Sequence, residues 1–324
     1  MVDSQTLRAE QYLAPETLAQ LSPFELRAKM IVEGVMSGTH RSPYQGMAVE
    51  FAQHRQYVAG DDLKHLDWKV YGRTDKLYVK QYQQETNLDI ILMIDASASM
   101  NYGSMTIKKN WGGTEASRSR LAWTKYDHAT ATATAIAYLC LHQQDRVGVC
   151  VYAEEIKTLV KRSSGQGQWR RIINALSSHP VETGTDIVKV TEQILGKITN
   201  RALFIFISDF FEDPEAIRQA LARFRHRKND VILLQTLDRQ EMQFSFTQPS
   251  PFEGLEGEGR LRIDPRALRK SYLDALEAHN KTVAKVALGF GFDYQRVDTH
   301  EPVGPALTHL LARRNAFIKR SKMG

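Results

Sequence analysis

The sequence predicts an α/β fold: a mostly parallel sheet with helices on both faces, joined to a smaller N-terminal module that contains strands. Three observations predict it. Short apolar runs at residues 88–94 (LDIILMI), 202–208 (ALFIFIS) and 231–237 (VILLQTL) have the length of strands buried on both faces. Segments with apolar residues three and four apart, as in Ala129, Ala133, Ile136, Ala137 and Cys140, alternate with these runs and read as helices. Strand and helix in alternation imply right-handed crossovers, and so parallel strands between two helix layers.

The chain has 324 residues, room for one large domain with an appendage or for two domains. Its 42% apolar and 25% charged residues exclude wholesale disorder and collagen-like chains. Cys140 and Cys150 form no CxxC pair, which speaks against a disulfide scaffold or zinc knuckle and for buried thiols in a reducing cytoplasm. A spanning helix needs roughly 20 mostly apolar residues. The longest uncharged stretch, residues 129–144, is shorter and carries Thr130, Thr132 and Thr134, so no membrane insertion is expected. The N-terminus has acids and no apolar core of a signal peptide, and the expected location is cytoplasmic.

A boundary near Glu85 divides an N-terminal module, residues 1–86, from a second domain, residues 87–324. The module opens with a helix over 23–33 and a Gly/Ser/His loop. Extended stretches at 48–57 and 76–83 then flank the polar loop GDDLKHLDWKVYGRTD. The second domain runs strand 88–94, helix 126–142 and strand 146–153, followed by a tight connection to an antiparallel edge strand at 156–160. Helices at 167–176 and 186–195 precede the strand at 202–208. Pro214 suits the first turn of the next helix, which ends in RFRHRK near Arg227. Strand 231–237, helix 265–286, strand 293–297 and helix 303–317 complete it.

In parallel sheets ligands bind beyond the carboxyl ends of the strands, where strand order reverses. There the first strand ends in Asp95-Ala-Ser97-Ala-Ser99, the third in Ser208-Asp209, and the loop Thr183-Gly184-Thr185-Asp186 opens a helix. Three loops thus bring oxygen donors to one edge, with no histidine or cysteine among them. Oxygen-only donors with two carboxylates suit Mg²⁺ or Mn²⁺, waters filling the remaining positions. A helix cap explains one of these side chains but not all of them together.

DASASM, TGTD and ISD, in this order at these elements, resemble a von Willebrand factor A domain carrying a metal-ion-dependent adhesion site. The resemblance implies a Rossmann-like sheet with one antiparallel strand. It also implies metal ligands at Asp95, Ser97, Ser99, Thr185 and Asp209, with the hydroxyls reaching the metal directly or through water. Two departures from the pattern are Thr183, where many members have glycine, and an extra segment at 101–125 expected to form a flap beside the site. The stretch from Glu50 to Trp68, EF-x-x-H-R-x-Y-x-x-GDD-x-x-x-x-DW, with GTHRSPYQG before it, is similar to the bacterial family labelled domain of unknown function fifty-eight. That resemblance implies a MoxR-type AAA+ ATPase as partner. Within this stretch Arg55, Tyr57, Asp61, Asp62, Asp67 and Trp68 read as a structural polar network, with a second cation site as the alternative.

The preferred function is a non-enzymatic, metal-dependent protein-binding module whose metal accepts an acidic residue from the partner, in chaperone-like assembly or maturation. A metal-dependent phosphohydrolase using Asp95 is the enzymatic alternative, weakened because Ser97 stands where such enzymes carry an acid/base Asp. Nucleic-acid binding through RFRHRK and the C-terminal cations is the third reading. Both runs end helices, where cations complement the dipole, and aromatic residues for base stacking are sparse there. The sequence has no P-loop, GxSxG or HExxH motif.

Overall fold

A computed structural model describes residues 28, 31–32, 51–58, 66–82, 88–106, 122–177, 184–246, 250–253 and 260–303. The chain divides into two compact units, Thr39–Asn87 and Met1–Gly38 with Leu88–Gly324.

In the smaller unit, strands β1 (Phe51–Gln56) and β2 (Tyr78–Tyr82) pair antiparallel, as the two extended stretches predict. The intervening segment is not all loop. Helix α1 (Trp68–Thr74) starts where the Asp67 carboxylate accepts the Lys69 and Val70 N–H groups, and it stops at Asp75, whose φ of 54° is left-handed. One cap suffices for a two-turn helix that periodicity alone does not reveal. Asp67 is therefore a helix cap, while Asp61 and Asp62 lie outside the described residues.

The larger unit holds a six-stranded sheet built from β3 (Asp89–Asp95), β6 (Arg146–Tyr152), β7 (Ile156–Ser163), β8 (Leu203–Ser208), β9 (Asp230–Leu237) and β12 (Asp293–Asp298). Their order is β12-β9-β8-β3-β6-β7, with every neighbouring pair parallel except β6–β7. This is the Rossmann-like, von Willebrand A-type arrangement, down to its antiparallel edge strand. Helices α2 (Lys125–His142) and α3 (Gln168–Ser177) cover one face. Helices α4 (Ile187–Lys197), α5 (Pro214–His226) and α7 (Pro265–Gly289) cover the other. Side chains alternate across a strand. Accordingly Ile90, Leu92 and Ile94 of β3 join the α2 layer, and Ile91 and Met93 join Phe204, Phe206 and Phe224 opposite. Pro214 sits in the first turn of α5, as expected. Both thiols are buried and neither is in a disulfide.

Five further elements escaped the periodicity. Strands β4 (Met105–Thr106) and β5 (Ala122–Trp123) pair antiparallel and close the two ends of the extra segment, whose residues 107–121 lie outside the described residues. Gly103 is required there, because a Cβ would meet the Trp123 carbonyl oxygen at 2.0 Å. The capped turn α6 (Arg239–Gln243) follows β9. The hairpin β10 (Ser250–Glu253) and β11 (Arg260–Ile263) precedes α7. The helices expected at 23–33 and 303–317 lie largely outside the described residues.

Candidate functional site

Strand order reverses at β3: the chain moves outward through β6 and β7, then returns to the other side for β8, β9 and β12. The carboxyl ends of β3 and β8 are therefore where a ligand site is expected. Ile94 pairs in register with Ile207, so Asp95 and Ser208 end the two strands side by side.

Asp95 is 1% exposed. Its Oδ1 accepts the Ser97 N–H at 2.8 Å and the Thr185 hydroxyl at 3.5 Å, and its Oδ2 accepts the Ser208 hydroxyl at 2.6 Å. The Ser97 and Ser99 hydroxyls lie 3.1 Å apart, Ser97 at the N-cap of a short 3₁₀ helix, Ala98–Asn101, and Ser99 within it. Asp95, Ser97, Ser99 and Thr185 are thus linked by hydrogen bonds across two loops. Burial, and then the nearby Asp209 charge, push the Asp95 carboxyl up to about 7, against the Ser208 and Ser97 hydrogen bonds. Among the described residues no cation pairs with it.

Asp209 follows directly on Ser208 and is 2% exposed, but it is held differently. Its Oδ2 accepts the Lys125 ammonium at 2.7 Å, and that ammonium also donates to Glu241 Oε1 at 2.7 Å. Burial opposes the charge on Lys125, yet the two carboxylates more than offset it and raise its pKa above the ordinary lysine value. The ring of Phe211, itself exposed, lies 4.7 Å from the ammonium.

The Asp209 backbone is fixed from three sides. Gln235 of β9 donates to the Asp209 carbonyl at 2.8 Å and to Asn280 of α7 at 3.0 Å, and it accepts from the Tyr294 hydroxyl of β12. The next residue, Phe210, is buried with a φ of 53°, a left-handed conformation uncommon for a bulky side chain. The Ser208 hydroxyl accepts its N–H at 3.0 Å, and His279 Nε2 lies 2.7 Å from its carbonyl oxygen. Strain held in place by surrounding contacts clusters at functional loops.

Glu212 joins the loops to one another. Its Oε1 accepts the Ile187 N–H at 2.8 Å, at the start of α4 and two residues after Thr185. Burial raises its carboxyl to about 8. The Ile187 N–H opposes this, while Asp95, Asp186 and Asp209 reinforce it. A parallel tie runs from the extra segment, where the Ser104 N–H and hydroxyl both donate to the Asp238 carboxylate, which caps α6.

The motif reading missed Lys125, Glu241 and Glu212. Lys125 stands at the first position of α2, inside the capping box formed by Thr124 and Asp127, where sequence suggests only a helix start. Glu241 belongs to a second capping box with Asp238 at the carboxyl end of β9. Its place at a parallel strand's end was the available signal. As donors the five predicted residues offer oxygens alone. Among the described residues no three histidine, cysteine or acidic side chains form a cage for a metal ion.

Residues 53–282 match the family described as "Protein of unknown function DUF58". Two relatives, uncharacterized proteins Rv1480 of Mycobacterium tuberculosis and Mb1516 of Mycobacterium bovis, are each 27% identical over 285 residues, covering 86% of this chain and 83% of theirs. Similar solved structures include the conserved hypothetical protein BatB from Bacteroides thetaiotaomicron, at 18% identity over 65% of this chain and 91% of that one, with a TM-score of 0.39. The SpRpn10 VWA domain is similar at 10% identity over 66% of this chain and 89% of that one, with a TM-score of 0.36.

Proposed function

The chain belongs to the DUF58 family, and on that premise we propose that it is a metal-dependent protein-binding module. The site is Asp95, Ser97, Ser99, Thr185 and Asp209. One observation carries the reading: Asp95 is buried, receives donors from three separate segments, and has no cationic partner among the described residues. A buried carboxylate in that position calls for a positive charge.

The donors are hard oxygens with two carboxylates, the set that suits Mg²⁺ or Mn²⁺. Bound there, such an ion supplies a Lewis-acidic position for an Asp or Glu of a partner. Asp95 provides the carboxylate not committed to a protein cation, and Ser97, Ser99 and Thr185 provide neutral oxygens. Asp209 would offer Oδ1, which now accepts the Phe211 N–H at 3.4 Å, since Lys125 engages Oδ2. The Thr185 and Asp209 loops are joined through Glu212, so a change in one reaches the other. The family resemblance supports a MoxR-type AAA+ ATPase as the partner, in a chaperone-like assembly or maturation role.

Binding is favoured over phosphoryl transfer because the position two residues after Asp95 is Ser97. Its N–H donates to Asp95 and its hydroxyl meets Ser99, which leaves no acid/base group there. Nucleic-acid binding is disfavoured because Arg223 and Arg227 at the end of α5 already engage the Val188 and Leu195 carbonyls and, for Arg223, Glu192.

Calorimetric titration of Mg²⁺ into the full chain tests the reading. The wild type is expected to bind and Asp95→Ala to give no binding heat with unchanged far-UV circular dichroism. Undiminished affinity in that variant overturns the assignment. Chelator-sensitive association with a MoxR-type ATPase tests the partner.

A further inference from the structure

Lys125 is the least expected group in the site. Its ammonium is buried, sits 2.7 Å from both Asp209 and Glu241, and is covered by the rings of Phe211 at 4.7 Å and Tyr102 at 6.0 Å. A cation in the first turn of a helix faces the positive end of the helix dipole, so α2 itself gives no reason for one there. Its contacts instead gather three segments at the sheet's carboxyl edge: the start of α2, the Asp209 loop after β8 and α6 after β9. One ammonium shared by two carboxylates leaves each partly uncompensated, and Asp95 beside them has no cationic partner among the described residues.

We propose that Lys125, steered by Glu241, is a positioning residue that tunes the strength of the metal site by occupying one oxygen of Asp209. The inference rests on the metal-site reading above. Lys125 takes Asp209 Oδ2, so that Oδ1, which also accepts the Phe211 N–H at 3.4 Å, is the one oxygen of Asp209 without a cation, and it places a fixed positive charge beside any divalent ion. Both effects weaken the ion's hold on the protein alone and leave a partner's carboxylate to complete it. Glu241 works in the opposite sense: by drawing on the same ammonium it returns negative charge to Asp209. Loss of an ion pair with a structural role alone would show chiefly in folding stability, whereas here the cation affinity is to shift in opposite directions on loss of Lys125 and of Glu241.

Mg²⁺ titration by calorimetry on the full chain separates these roles, with melting temperature followed in parallel. Lys125→Met, and Lys125→Gln as the milder variant that keeps a polar side chain, are expected to tighten Mg²⁺ by about tenfold through loss of like-charge repulsion. Glu241→Gln, with Lys125 intact, is expected to weaken Mg²⁺ by about threefold or more, since the ammonium then rests on Asp209 alone. Opposite shifts in the two classes of variant support the proposal. Equal or weaker Mg²⁺ binding in both Lys125 variants, with wild-type binding intact and Asp95→Ala silent, overturns it while leaving the metal site standing. No Mg²⁺ binding by the wild type or by the Lys125 variants overturns both.

Discussion

Asp95 and Asp209 lie at the ends of adjacent parallel strands, both buried and both in the same motif, yet the fold treats them differently. Asp95 is surrounded by neutral donors, two hydroxyls and one backbone N–H. Asp209 is paired with a buried ammonium that a third carboxylate also holds. Two acids of the same candidate site therefore have different electrostatic surroundings. The first meets only neutral donors among the described residues, and the second is partly neutralised by the protein's own ammonium.

The sharpest test of this contrast is the metal-free stability of the two asparagine variants. Asp209→Asn strips Lys125 of one of its partners and is expected to cost about 3 kcal/mol, the lower end for breaking a buried pair because Glu241 remains. Asp95→Asn removes a buried charge without a cation and is expected to be neutral or slightly stabilising without metal. Urea denaturation of both in chelator measures this, and equal losses would erase the distinction.

A second contrast lies within α2. Lys125 is held charged by two acids, while His128, one turn on, is held neutral because burial lowers its pKa from 6.5 to about 4. The unfolded chain protonates this histidine below about pH 6.5 and the folded one does not, so its contribution to stability is complete above pH 6.5 and is lost as pH falls toward 4. The expected loss is about 2 kcal/mol at pH 5. Chevron or urea titrations at pH 7.5 and 5 should show a smaller difference in His128→Leu than in the wild type.

Ser208→Ala removes the hydroxyl that donates to Asp95 Oδ2 and is expected to cost about 1 kcal/mol or slightly more. The smallest effect is expected from Mg²⁺ on the melting temperature at concentrations near its dissociation constant. At 100 times its dissociation constant the ion should add about 2.7 kcal/mol of stability to a protein that binds it, but near that constant only a few tenths. The shift should vanish in Asp95→Asn, and a shift of equal size in that variant would mean that the ion acts elsewhere.

Much of the fold was legible because burial on both faces writes itself as uninterrupted apolar runs: Ile90–Ile94, Leu203–Ile207 and Val231–Leu234 are strands where the pattern put them. Asp95, Ser97, Ser99 and Thr185 were legible because strand ends and helix starts mark the edge where ligands gather. The α1 and α6 helices were not, since each is too short for periodicity and depends on one capping carboxylate, Asp67 or Asp238.

By itself the sequence determined the alternation of strands and helices, the single antiparallel edge and the oxygen donors that meet at one end of the sheet, because these follow from local hydrophobic pattern and chain order. Tertiary structure alone decided that Lys125, 84 residues from Asp209 and 116 from Glu241, would place its ammonium between them. An ion pair depends on distance and burial in three dimensions, and neither has a signature in residue spacing.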